Sequence, residues 1–191
     1  MAWGRLEQTF ARPDYAKYGG GFAEGVAVLD DSAMEFGQLY RSSAVLGAGP
    51  ELPAAARPDQ WAGQPGTRAP HWWLEKAGDR VSTLDLLERG WLLMTEEQRW
   101  LDAAPKVGAA LGIAVATAQV GVDFAPDDLP GFRAAFGIGS SGASLIRPDG
   151  FIAWRSVDVP ADPTRALHDA LAAVSSATRA PSLALPPARL H

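Results

Sequence analysis

Trp91-Leu92-Leu93-Met94-Thr95-Glu96-Glu97-Gln98-Arg99 decides the fold. Its first four residues form an unbroken apolar run, which is what a strand covered on both faces of a sheet requires. Thr95 and Gln98 have the spacing of a capping box, so a helix is expected from Glu96, with its acids at the favourable positive end. Pro105 is expected to kink or interrupt that helix, because an interior proline removes a hydrogen bond and crowds the preceding turn.

Working outward, IAVATAQV over 113–120 reads as a second strand, and Pro130 to Phe136 as a short helix. Ala143–Arg147 and Phe151–Arg155 are two strands joined by Pro148-Asp149-Gly150, a tight turn whose glycine accepts positive φ cheaply. Asp162 as N-cap and Pro163 at the first helical position open a last helix, with Ala166, Leu167, Ala170, Leu171 and Val174 on one apolar face. Upstream, Arg68 to Leu74 reads as an extended entry and Ser82 to Leu87 as a helical turn. The order β-α-β-α-β-β-α is that of a thioredoxin-like fold: an α/β domain with a central four-stranded mixed sheet flanked by helices.

Residues 1–34 carry Gly19, Gly20, Gly21 and Gly25 and no sustained period. They read as a connector or partly ordered arm. Residues 35–46, EFGQLYRSSAVL, suggest a strand, and the Pro-, Gly- and Ala-rich stretch 47–66 an irregular loop. The expected division is an N-terminal extension over 1–66, a compact domain over 67–179 and a loose tail over 180–191. No internal repeat is visible.

The 191 residues fit one domain, and 47% hydrophobic with 20% charged residues allows a packed core. The net charge of -5 comes with no basic run, which argues against nucleic-acid binding. No cysteine occurs, which removes disulfides, thiolate nucleophiles and cysteine-ligated metals together. The first residues lack a basic-then-apolar signal pattern, and no apolar run approaches the roughly 18–20 residues of a membrane span. A cytoplasmic location is expected.

Four segments in order resemble one family. They are Tyr40-Arg41-Ser42-Ser43-Ala44-Val45, Gly63-Gln64-Pro65-Gly66-Thr67-Arg68-Ala69-Pro70-His71, Ser82-Thr83-Leu84-Asp85-Leu86, and Arg147-Pro148-Asp149-Gly150-Phe151-Ile152-Ala153-Trp154-Arg155. Together they are similar to the C-terminal portion of class A flavoprotein monooxygenases, the phenol-hydroxylase-like and polyketide-hydroxylase-like enzymes that hydroxylate aromatic rings with FAD, NAD(P)H and oxygen. The resemblance covers about residues 35–175. It implies a thioredoxin-like terminal domain with a packing or oligomer role, with FAD and NAD(P)H handled by a larger part of the parent enzyme. The implied partners are that FAD-binding and substrate module and a second subunit in a homodimer. The competing reading is a stand-alone, non-catalytic binding protein with a Trp-lined partner or ligand surface. An enzyme of unrecognised chemistry ranks third.

No catalytic, cofactor-binding or metal-ligating residue is assigned. A working thioredoxin places Cys-x-x-Cys after the first core strand, at a helix N-terminus that lowers a thiol pKa. Met94 to Arg99 occupies that place with two acids and no sulfur nucleophile. The cis-proline expected before the hairpin is replaced by Ser141-Gly142-Ala143.

Gly137-Ile138-Gly139-Ser140-Ser141-Gly142 spells G-x-G-x-x-G, but a dinucleotide fingerprint follows a strand and opens a helix, and this one does the reverse. Gly78-Asp79-Arg80 reads as a surface turn. His71, His168 and His191 have no metal-ligand spacing. Ser42, Ser43, His71 and Asp85 could be drawn as a triad, yet no nucleophile elbow presents a serine, and Asp85 suits a cap of its own turn. Arg68, His71, Trp72 and Trp73 form the most polar-aromatic cluster. Arg and Trp are favoured interface anchors, so this cluster is the candidate interface. The two tryptophans would equally serve to cover the domain's own sheet.

Overall fold

The computed structural model describes residues 31–87 and 90–176. Most of the arm expected over 1–34 and all of the tail from 180 lie outside these residues. In chain order the elements are α1 (Asp31–Phe36), α2 (Pro58–Trp61), β1 (Trp73–Lys76), β2 (Asp79–Ser82), a 3-10 turn (Thr83–Leu86), β3 (Trp91–Thr95), α3 (Gln98–Leu111), β4 (Val115–Gln119), β5 (Ala125–Pro126), α4 (Leu129–Phe136), β6 (Ala143–Ile146), β7 (Ile152–Ser156) and α5 (Pro163–Ser176).

The central sheet has the order β4-β3-β6-β7. β3 runs parallel to β4, with Leu93 opposite Thr117, and antiparallel to β6, with Leu93 opposite Leu145. β6 and β7 form the expected antiparallel hairpin. All five residues of β3 are buried, as a central strand covered on both faces must be. Leu92, Met94, Ala118, Ile146 and Ile152 point to one face and pack with Leu74, Phe124, Phe132 and Phe136. Leu93, Leu145 and Ala153 point to the other and meet Trp100, Ala103, Ala104 and Val107 of α3 and Leu167, Leu171 and Val174 of α5.

Three local expectations are corrected. The strand expected over 35–46 is not formed: α1 ends at Phe36 and an irregular path follows. The reason is partner choice. Leu39 and Tyr40 donate their amides to Ala54 and Gly66, while Leu46 donates to Ala153, so no single neighbour builds a ladder. The β-forming side chains serve burial instead, as Leu39 and Val45 show.

The helix after β3 begins at Gln98, and Glu97 is its N-cap, with a carboxylate that accepts the Arg99 amide. Thr95 is unavailable because it still belongs to the strand. Its hydroxyl donates to Gly142 O at 2.7 Å and accepts the Glu97 amide at 3.1 Å. α3 also runs through Pro105 without interruption. Pro105 lies on the exposed side, where water can satisfy the carbonyl that loses its donor.

A second, three-stranded sheet of order β2-β1-β5 joins the central one. Its hairpin turns at Ala77 and Gly78, both with positive φ, and buries Leu74 completely. The 3-10 turn that follows is closed reciprocally, with Leu84 N donating to Ser82 Oγ and Ser82 N to the Asp85 carboxylate. Residues 37–66 wrap the far edge of β7, where Trp61 is buried and its indole N–H donates to Gly37 O at 2.7 Å.

Among the described residues, Ser144 Oγ on β6 is buried with no hydrogen-bond partner. Leaving a buried hydroxyl unsatisfied carries a desolvation penalty, so Ser144→Ala is expected to raise the unfolding free energy by about 1 kcal/mol. Urea unfolding of the two proteins measures it, and a loss of stability would show that the hydroxyl has a partner.

Candidate functional site

The junction between β3 and α3, where the sequence reading looked for thiols, carries two ion pairs. The Arg133 guanidinium of α4 clamps the Glu96 carboxylate with bonds of 2.7 and 2.5 Å, a bidentate geometry. The Glu96 hydrogen bonds hold the Arg133 guanidinium above its ordinary range. One residue on, Arg99 bonds the Glu97 carboxylate at 3.0 Å. That bond, reinforced by the Arg99 amide, holds the Glu97 carboxyl below its usual 4.5.

A depressed folded pKa means that the stabilisation from Glu97 is present above about pH 4.5 and disappears as pH falls through the lower folded value. Glu97→Gln is expected to flatten that part of the stability profile between pH 5 and about 3, as measured by thermal melts across the range. For Glu96 and Arg133, side chains 18% and 32% exposed leave water as a competitor. A double-mutant cycle is expected to give a coupling of about 1 kcal/mol.

The glycine loop is a helix-to-strand connection. Gly137 is the left-handed C-cap of α4 and Gly142 leads into β6. The amides of its three glycines are already used: Gly137 N donates to Ala134 O, Gly139 N to Val157 O at 2.7 Å and Gly142 N to Gly139 O at 3.1 Å. A Cβ at Gly142 would press on the carbonyls of Ser156 and Val157, so this glycine serves close packing of the loop on β7. With its glycine amides bonded within the protein and the helix ending rather than starting there, the loop does not fit a nucleotide's phosphates.

The drawn triad is not assembled. Ser42 Oγ accepts the Ala44 amide and Asp85 caps its own turn. His71 packs edge-on against Trp73, with ring centroids 5.0 Å apart. Among the described residues no group of three His, Asp or Glu could hold a metal ion.

The four candidate interface residues divide into three environments. Trp72 turns inward, half-buried against Phe132 with ring centroids 6.2 Å apart. Trp73 is 42% exposed, in edge contact with His71 and beneath the Arg80 guanidinium, which lies 4.4 Å from the indole centre. Arg68 is exposed and lies 5.0 Å from the centre of the Phe151 ring. Phe151 in turn contacts Tyr40 edge-on at 4.8 Å.

Two cation-aromatic patches therefore exist, one on the β1–β2 hairpin and one where residues 40 and 68 meet the β6–β7 turn. Tyr40 and Phe151 are not legible as partners in the sequence because their contacts cross long stretches of chain. The one available signal was local: in the β1–β2 hairpin Arg80 stands opposite Glu75 and Ser82 opposite Trp73, so Arg80 is the diagonal neighbour of Trp73.

A cleft of about 630 Å³ lies between the small sheet and the β4 edge and is lined by Lys76, Val81, Asp85, Leu92, Thr117 and Phe124 among others. No tryptophan lines it. A smaller one of about 350 Å³ includes Trp154 and Arg155. Burial pushes the Arg155 guanidinium below its ordinary range, and its Nη1 donates to the Ala62 carbonyl.

Residues 62–177 match the family described as "Aromatic-ring hydroxylase, C-terminal". The chain is 39% identical over 176 residues to the tetracenomycin B2 monooxygenase-dioxygenase of Streptomyces olivaceus, covering 90% of this chain and 32% of that protein. It is 40% identical over 154 residues to the 4-methyl-5-nitrocatechol 5-monooxygenase of a Burkholderia species, covering 77% and 28%. Its structure superposes on aklavinone-11 hydroxylase, solved as a ternary complex with FAD and aklavinone. That superposition has a TM-score of 0.72 and 35% identity over 84% of this chain and 30% of the other. The chain thus spans about a third or less of the length of these relatives.

Proposed function

This chain belongs to the aromatic-ring hydroxylase C-terminal family, and on that premise we propose that it is the redox-inactive terminal domain of an FAD-dependent aromatic-ring monooxygenase. It packs against the flavin- and substrate-binding part and stabilises a homodimer, in the cytoplasm. FAD and NAD(P)H act in the rest of the parent enzyme and aromatic substrate is bound there. The observation that carries the reading is the junction between β3 and α3. Glu96–Arg133 and Glu97–Arg99 lock the start of α3 with charges, and neither pair offers a nucleophile or an electron carrier.

The docking surface is the pair of cation-aromatic patches. Trp73 and Tyr40 remain 42% and 52% exposed, and rigid aromatics held by guanidinium groups are the composition of interface anchors. Among the described residues no helix is long and apolar enough to cross a membrane.

The test is a chimera in which this chain replaces the matching segment of the tetracenomycin B2 monooxygenase-dioxygenase. The reading expects a folded, FAD-loaded protein, in which Arg68→Ala with Trp73→Ala lowers the melting temperature of the whole more than that of the isolated chain. Equal effects in both settings would show that the patches do not dock.

A further inference from the structure

We infer that the outer edge of β4 pairs with a second copy of this chain, antiparallel about a two-fold axis at Ala116. The pairing gives a surface to the homodimer proposed above and rests on that part of the reading. Every other sheet edge is covered or blunted. β7 is capped by Leu46 N to Ala153 O, Gly66 N to Ile152 O and Ile152 N to Thr67 O, at 2.8–2.9 Å. β2 carries Asp79 and Arg80, and β5 has two residues including Pro126. Charges, proline and brevity are the usual protections of an edge.

β4 has none of them. Its sequence is Val-Ala-Thr-Ala-Gln, and residues 112–118 contain no charge and no proline. The Val120 amide reaches Thr95 O at 2.9 Å, so by the two-residue period the amides of Ala116 and Ala118 face β3 and those of Val115, Thr117 and Gln119 face outward. Gln119 is closed, because its amide donates to the Asp123 carboxylate at 2.7 Å and its carbonyl accepts the Asp123 amide at 2.8 Å. The N–H and C=O of Val115 and Thr117 have no partner among the described residues. Ala116 and Thr117 are exposed and border the open cleft, so the edge is reachable.

Four groups on two alternate residues, unpaired among the described residues, select one register. Val115 set opposite Thr117 of the partner subunit, and Thr117 opposite Val115 of the partner subunit, satisfies all four reciprocally. An axis at Thr117 would instead set Val115 against Gln119, whose groups are taken. With the axis at Ala116, the two alanines face each other in the narrow non-hydrogen-bonded position, where small side chains fit a Cα separation of about 4.5 Å. An edge complementary to itself closes as an isologous dimer, here one continuous sheet of eight strands. A foreign strand could form the same bonds but would leave this chain monomeric by itself.

The experiment is analytical ultracentrifugation of the whole chain. The expected mass is twice 20.2 kDa. Ala116→Glu sets two carboxylates across the axis and should weaken the dimer at least about tenfold, with circular dichroism and melting of the monomer unchanged. Ala116→Lys should do the same, and mixing the two variants should restore the dimer as a heterodimer. If Ala116→Glu does not fold, Thr117→Pro takes its place, since it removes only an outward amide. A monomeric parent chain overturns both this pairing and the dimer role, leaving the docking role standing. A dimeric parent whose Ala116→Glu variant stays dimeric overturns the edge assignment alone.

Discussion

Replacing Trp100 with alanine is expected to lower the unfolding free energy by about 3–5 kcal/mol. Trp100 is fully buried in the first turns of α3, where it fills the layer between the central sheet and α5. Its ring meets Trp154 of β7 edge-on, with centroids 5.7 Å apart, and its indole N–H donates to Ser141 O at 3.0 Å. Alanine removes the area, the aromatic pair and the donor together, and it leaves the Ser141 carbonyl short of a partner. Trp100→Phe separates these terms: it keeps most of the ring and loses the hydrogen bond, so a cost of about 1–2 kcal/mol is expected. Urea unfolding of the three proteins checks the series. Equal costs for alanine and phenylalanine would mean that the hydrogen bond, and not the packing, carries the site.

Phe132→Ala should cost a similar amount, about 3–5 kcal/mol, on the opposite face of the sheet. Phe132 is fully buried on α4 and stands at the centre of an aromatic group: Phe136 at 4.5 Å, Trp72 at 6.2 Å and Phe124 at 6.3 Å between ring centroids. These rings join α4 to the β1–β2 hairpin and to the segment before β5, so the cavity opens where three elements meet. The sheet separates this site from Trp100, and the double variant is therefore expected to show additive costs within about 0.5 kcal/mol. Denaturant midpoints of the single and double variants measure this. A strong departure from additivity would mean that the two faces are mechanically coupled through β3.

The central sheet was legible because its signals are local. Trp91 to Met94 is an apolar run that only a doubly covered strand explains, Pro148-Asp149-Gly150 sets the hairpin, and Asp162 caps α5 through the Arg165 amide at 2.9 Å. Errors arose where a residue's partner lies far along the chain. Thr95 looked like a cap, but Gly142 claims its hydroxyl from 47 residues away. The segment 35–46 has the composition of a strand without a strand to pair with. The small sheet was missed because β1 buries only Leu74, too little for an alternation to register. In the candidate surface, the grouping of Arg68, His71, Trp72 and Trp73 in sequence concealed their separation in space. Strand alternation at Trp72 and Trp73 turns one indole into the core and the other outward.

In the proposed function the flavin is held by the rest of the parent enzyme and not by this domain. Titrating the purified chain with FAD while following flavin fluorescence and absorbance tests it most directly. The expected result is a linear, unsaturated signal identical to that of free FAD. A saturable, stoichiometric change with quenched fluorescence would contradict it.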